Sequence, residues 1–127
     1  KGSEIMLNYE NLVNDVCIQF SEVEKLYNEE LNNDTLDLES GVHTVFSFCF
    51  VPILKKAIFN KNEILIKEMF DYLEEMEKSN DNHVGEVAEF TVLEELLDEI
   101  SFDSIEKYMG KYTRQAAALI NRYIKVD

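Results

Sequence analysis

Gly41-Val42-His43-Thr44-Val45-Phe46-Ser47-Phe48-Cys49-Phe50-Val51-Pro52-Ile53-Leu54-Lys55-Lys56-Ala57-Ile58-Phe59 is the stretch on which the fold turns. Two structures compete for it. Val45 to Val51 is aromatic and β-branched, which suits a buried strand. The whole stretch is long enough for about five helical turns. Its apolar side chains point all round, as in a helix buried on several sides. Pro52 and the helical character of the surrounding chain favour the helix. Pro52 cannot donate to the carbonyl of Phe48, so a kink or break is expected there.

Working outward, Leu12, Val13, Val16, Phe20, Val23, Leu26, Tyr27 and Leu31 recur at three- and four-residue spacing. They predict one amphipathic helix over residues 9–31, with Asp15, Glu22, Lys25 and Glu29 on its wet face. Residues 32–40 read as a polar connection. A third helix is expected over 63–78, capped by Asn62 and buried along Ile66, Met69, Phe70, Leu73 and Met76. Ser79-Asn80-Asp81-Asn82 reads as a turn, with His83 as a capping residue.

The fourth helix, 83–100, has a buried face that switches near Thr91. Val84, Val87, Ala88 and Thr91 form one stripe. Phe90, Leu93, Leu96, Leu97 and Ile100 form another on the opposite side, so the helix reads as wedged between two layers. Gly85 inside it suggests a close helix crossing or a frayed first turn. Ser101 is the expected cap of a short fifth helix, with Gly110 as its stop. A sixth helix, 113–125, is expected to bury Ala116, Ala117, Leu119, Ile120 and Tyr123. Arg114, Arg122 and Lys125 lie on its outer side.

These elements predict an all-α fold, an irregular bundle of five or six helices in a single domain over 1–127, with a HEAT-like stack as a variant. Lys1-Gly2-Ser3 reads as a remnant of a cloning junction, and residues 1–6 are expected to lie outside the folded part. Four glycines and one proline are few for a sandwich or barrel.

The formal charge is −14, from 26 acidic and 12 basic residues. That surface repels nucleic acid and anionic membranes and attracts basic partners. Eleven acids stand between Asp71 and Glu99 against one lysine, Lys78, whereas residues 107–126 hold five basic residues and no acid. No apolar run approaches the roughly 20 residues of a membrane span. Cys17 and Cys49 read as reduced, buried thiols, which together suggest a cytoplasmic setting.

Catalytic apparatus is not apparent. His43 and His83 stand alone, without HxxxH, ExxH or CxxC spacing for a metal. His43 reads as a core or helix-end residue. The glycines are too scattered for a phosphate loop, and neither cysteine has a histidine partner in a recognisable pattern. No enzyme activity and no cofactor is expected. Paired acids such as Glu86 with Glu89 and Glu95 with Asp98 share helix faces. A solvated face is the default reading of such pairs, and a partner-binding surface is the functional one.

Phe48-Cys49-Phe50-Val51-Pro52-Ile53-Leu54, Phe70-Asp71-Tyr72-Leu73-Glu74-Glu75-Met76, residues 84–96 (VGEVAEFTVLEEL) and Tyr108-Met109-Gly110 with Thr113 resemble a family of small bacterial proteins. Its members recur beside polymorphic toxins and contact-dependent growth inhibition systems, where they look like immunity proteins. The resemblance covers residues 42–124 and none of the first 40. It implies a monomeric protein that occludes a cognate basic toxin domain, a nuclease, and it brings no catalytic residues. The charge pattern adds a candidate interface: Glu74, Glu75, Glu86, Glu89, Glu94 and Asp98. The alternative is a helical scaffold or regulatory subunit unrelated to toxins.

Overall fold

The computed structural model describes residues 7–124; the reading of residues 1–6, and the place of Lys125 in the last helix, fall outside them. The described residues are all-α, with seven helices and no strand. They are α1 (Leu12–Gln19), α2 (Ser21–Asn32), α3 (Val42–Phe59), α4 (Glu63–Lys78), α5 (residues 82–99), α6 (Phe102–Ile105) and α7 (Lys111–Ile124). Short 3-10 turns, Tyr9–Asn11 and Glu106–Tyr108, lead into α1 and out of α6.

The decisive stretch is helical, and the strand reading of Val45 to Val51 is set aside. The proline neither breaks the helix nor sits in a plain kink. Phe46–Phe50 forms a wider π turn, in which the Val51 N–H donates to the Phe46 carbonyl five residues back. Pro52 then falls in the first turn of the α-helical segment Val51–Phe59, where a missing N–H costs least. By length and composition α3 would qualify as a membrane span, with 18 residues and a mean hydropathy of 1.5. Yet Val45, Phe46, Cys49, Phe50, Val51, Leu54 and Ala57 are buried in the core. Burial is one-sided rather than all round: Phe48, Pro52 and Phe59 are exposed.

A second π segment, Val87–Leu93, lies in the middle of α5 and explains the switch of face near Thr91. At 100° per residue the two apolar stripes lie on opposite sides. A wide turn lets the helix fall behind that count, so the second stripe swings round toward the first. Val84, Val87, Ala88, Thr91, Val92, Leu93, Leu96 and Leu97 are all buried, and Phe90 alone of the stripes turns outward. The helix does lie between neighbours, with α3 on one side and α4 and α7 on the other, and the wide turn is what lets both stripes be covered there. Gly85 sits in its first turn, where an added Cβ would meet only the Met76 carbonyl at 3.9 Å, so no close crossing demands a glycine there.

The two π turns pack against each other. His43 Nδ1 lies 2.6 Å from Thr91 Oγ1, and Ser47 Oγ donates to Glu95 at 3.0 and 2.9 Å. His43 is thus a helix-start residue joining α3 to α5. Both cysteines are free, Cys49 buried and Cys17 half-buried.

The expected first helix is two. Phe20 adopts an extended conformation (φ −129°, ψ 106°) between α1 and α2. Its ring is buried edge-on against Phe50 and Tyr72, with centroids at 6.0 and 5.5 Å. The Phe20 N–H still donates to the Val16 carbonyl and its own carbonyl accepts from Glu24 N–H, so the bend keeps a bond on each side while the ring enters the core. Asp15 is not on a wet face: it is buried and accepts a 2.7 Å bond from the Tyr72 hydroxyl. Asp81, rather than His83, caps α5, and its other oxygen accepts the Tyr9 N–H at 2.8 Å.

Two helices end in left-handed residues that are not glycine, Asp34 (φ 62°) and Lys61 (φ 58°). At the second, the Asn62 N–H donates to the Ala57 carbonyl, closing α3. A side chain there costs about 1–2 kcal/mol. Lys61→Gly is therefore expected to stabilise the protein by about 0.5–1 kcal/mol after the entropy of the unfolded chain is counted. Urea unfolding at constant m-value checks this.

Candidate functional site

The site is built where the end of α4, the second half of α5 and the start of α7 meet. Gly110 is not the stop of α6. It precedes α7, and its carbonyl accepts the first helical bond, from Arg114 N–H. A glycine there has no side chain to cap the helix, and Glu74 of α4 supplies the cap instead. Its Oε1 accepts from Thr113 N–H at 2.8 Å and Thr113 Oγ1 at 2.7 Å, and its Oε2 from Tyr112 N–H at 3.1 Å. A Cβ on residue 110 would lie 2.5 Å from Glu74 Cδ, so only glycine leaves room for this carboxylate. Burial alone would push the Glu74 carboxyl up. The Thr113 and Tyr112 bonds and the charge of Lys78 outweigh it and hold it below the ordinary carboxylate value.

Beyond this cap, α5 and α7 enclose a groove of about 720 Å³. Phe90, Tyr112, Ala116, Leu119, Ile120, Tyr123 and Ile124 supply its apolar surface. Glu77, Glu89, Glu94, Glu95 and Asp98 supply its acidic side, and among the described residues no lysine or arginine lines it. Leu119 and Tyr123, expected in the core, are 53% and 78% exposed. The reason lies in their neighbours. Thr113 and Ala117 form the buried edge of α7, and side chains that small let α7 approach α4 and α5 closely. The large residues are then carried to the groove side.

Glu77 is half-buried in the groove wall, and its Oε2 has no protein partner. Burial, a hydrogen bond to Glu89 and the negative charges of Glu89 and Glu74 raise its pKa well above the carboxylate range. Glu77 therefore holds its proton well above the ordinary carboxylate range, beside Glu89. The groove wall beside α4 is correspondingly uncharged, and its charge is concentrated on the α5 side.

Of the six acids predicted as an interface, Glu89, Glu94 and Asp98 line the groove. Glu75 lies on a different face, beside Gln19, Phe20 and Tyr72. Glu86 sits 3.4 Å from His83, outside the groove. Glu74 is committed to the helix cap. Sequence reasoning missed Phe90, Tyr112, Leu119 and Tyr123 as surface residues, because periodicity marks an apolar stripe without saying whether anything covers it. Among the described residues no group of three or more histidines, cysteines or acids is arranged to hold a metal.

Residues 13–125 match the family of a domain of unknown function (DUF7674), and the chain belongs to that family. The match starts at Val13, so α1 and α2 fall within the family's extent as well as the later helices. No curated protein and no solved structure matches the chain.

Proposed function

We propose that this member of the DUF7674 family is an immunity-type protein that neutralises a basic toxin domain, a nuclease, by electrostatic and steric occlusion. The observation that carries the reading is the groove between α5 and α7: exposed aromatic and aliphatic residues beside Glu89, Glu94, Glu95 and Asp98, with no basic residue among the described residues that line it. Nuclease clefts must hold phosphates and are basic. An acidic surface therefore gains encounter rate and selectivity against them. The apolar component gives such a complex slow dissociation, which charge alone does not provide. In this reading the protein acts in the cytoplasm as a monomer, without catalysis or cofactor, and avoids nucleic acid and membranes. Glu89, Glu94 and Asp98 are its central acids, with Glu75 and Glu86 outside the groove.

Co-expression with the toxin encoded immediately upstream tests the proposal. Growth is expected to be restored by the wild-type chain and by Glu22→Lys/Glu29→Lys, and lost with Glu94→Lys/Asp98→Lys. All four positions are exposed, and both pairs change net charge equally. Association with the purified toxin is expected to slow about tenfold between low and high salt, because the attraction is screened over a Debye length of about 8 Å. Dissociation should change far less. A helical scaffold unrelated to toxins is the reading that survives if no toxin lies upstream and no protection is seen.

A further inference from the structure

The groove also constrains what enters it. It is walled by two helices, and among the described residues there is no strand edge with free N–H and C=O groups. An extended peptide laid on this apolar surface would lose water from its backbone and find no partners for it, a cost of about 1–3 kcal/mol per group. A helix satisfies its own backbone and presents only side chains. Phe90, Leu119 and Tyr123 stand exposed at 55%, 53% and 78% and need an apolar stripe over them. Glu94, Glu95 and Asp98 on the α5 side need positive charge. The tyrosine rings favour arginine over lysine, because a guanidinium both pairs with carboxylate and stacks on an aromatic face.

We infer that the groove is a docking site for an amphipathic helix of a partner protein, with an apolar stripe flanked by arginines. The inference rests on the reading that the chain binds a basic protein, but not on that protein being a toxin. The occupant's stripe lies across Phe90 and the Leu119–Tyr123 edge of α7. Its arginines face Glu94 and Asp98, one turn apart on α5. Since Glu77 retains its proton, the stripe is not required to cover an ionised carboxylate on the α4 side.

Three synthetic helical peptides of about 14 residues, roughly 21 Å long, match the length of α7 and serve as probes. The first carries a leucine stripe flanked by arginines, the second the same stripe flanked by glutamates, the third the arginines with serine in place of leucine. Binding to the full chain is read by fluorescence anisotropy at physiological salt. The first peptide is expected to bind at least about tenfold more tightly than either other. Leu119→Asp and, independently, Tyr123→Ser should each weaken it by about tenfold, with helicity unchanged by circular dichroism. Glu94→Lys/Asp98→Lys should do the same, and Glu22→Lys/Glu29→Lys should not. Equal binding of the first and third peptides would overturn the inference, since charge alone would then suffice. So would no binding of the first, or indifference to both Leu119→Asp and Tyr123→Ser. Peptide binding without cell protection would retain the groove and remove the immunity reading; protection unaffected by the groove variants would do the reverse.

Discussion

Glu74→Ala is expected to destabilise the protein by about 2–3 kcal/mol, although Glu74 is only half-buried on the surface of α4. The loss falls on its partners. Thr113 is fully buried, and its N–H and hydroxyl would both be left without an acceptor. α7 would also lose the negative charge at its N-terminus. Gly110→Ala should have a similar effect by a different route, because the new Cβ and the Glu74 carboxylate cannot occupy the same space. The two changes should therefore not add. In the Glu74→Ala background, Gly110→Ala is expected to cost nothing, or to stabilise slightly by restricting the unfolded chain. Urea unfolding of the two single variants and the double variant forms the required cycle. Full additivity would show that Gly110 and Glu74 act independently.

The cap also marks a boundary of what sequence can reveal. α4 was placed to the residue, because Asn62 caps its start and its stripe repeats without interruption. The cap of α7 joins residues almost forty positions apart, and nothing in the run from Tyr108 to Thr113 points to an acid in another helix. The break at Phe20 was hidden for a related reason. Leu12 to Leu31 keeps a helical period across the bend, since both halves bury the same kind of stripe. The shift of face in α5 was visible as an anomaly near Thr91, but period alone does not reveal that a wide turn accompanies it. The acids were read as one face, whereas the fold divides them among a cap, a proton-sharing pair, a groove and open solvent.

Glu77→Gln is expected to stabilise the protein at pH 8 and to leave it unchanged near pH 4. In the unfolded chain Glu77 titrates near 4.5, and in the fold it holds its proton to well above that value. Over the interval between those two values the folded state binds the extra proton, so stability falls as pH rises. Below 4.5 both states are protonated and the contribution is complete. Glutamine keeps a donor toward Glu89 without the proton to lose. After discounting for solvent screening, the gain at pH 8 is about 1–2 kcal/mol, or several degrees in Tm. Glu74 has the opposite sign. Its lowered pKa makes its contribution complete above 4.5 and lost as pH falls through the folded value. Melting curves of wild type and Glu77→Gln from pH 4 to 9 separate the two. Parallel curves would show that Glu77 does not hold the proton.

The paired wide turns of α3 and α5 bear on how such sequences change by insertion and deletion. A π turn is an α-helix carrying one residue more than its length requires. Loss of a residue within 46–50 or 87–93 would close the wide turn to a regular one and leave the downstream residues facing as before, whereas the same loss elsewhere in the helix would rotate them by about 100°. Leu54 and Ala57 in α3, and Leu96 and Leu97 in α5, would then keep their places in the core when the loss falls in the turn. When sequences of this architecture are aligned, a one-residue gap at either wide turn is therefore a real event in the history of the fold, not an error to be moved into the nearest loop. Because the two turns lie against each other, such gaps should occur together, or beside a change of side-chain size on the facing helix.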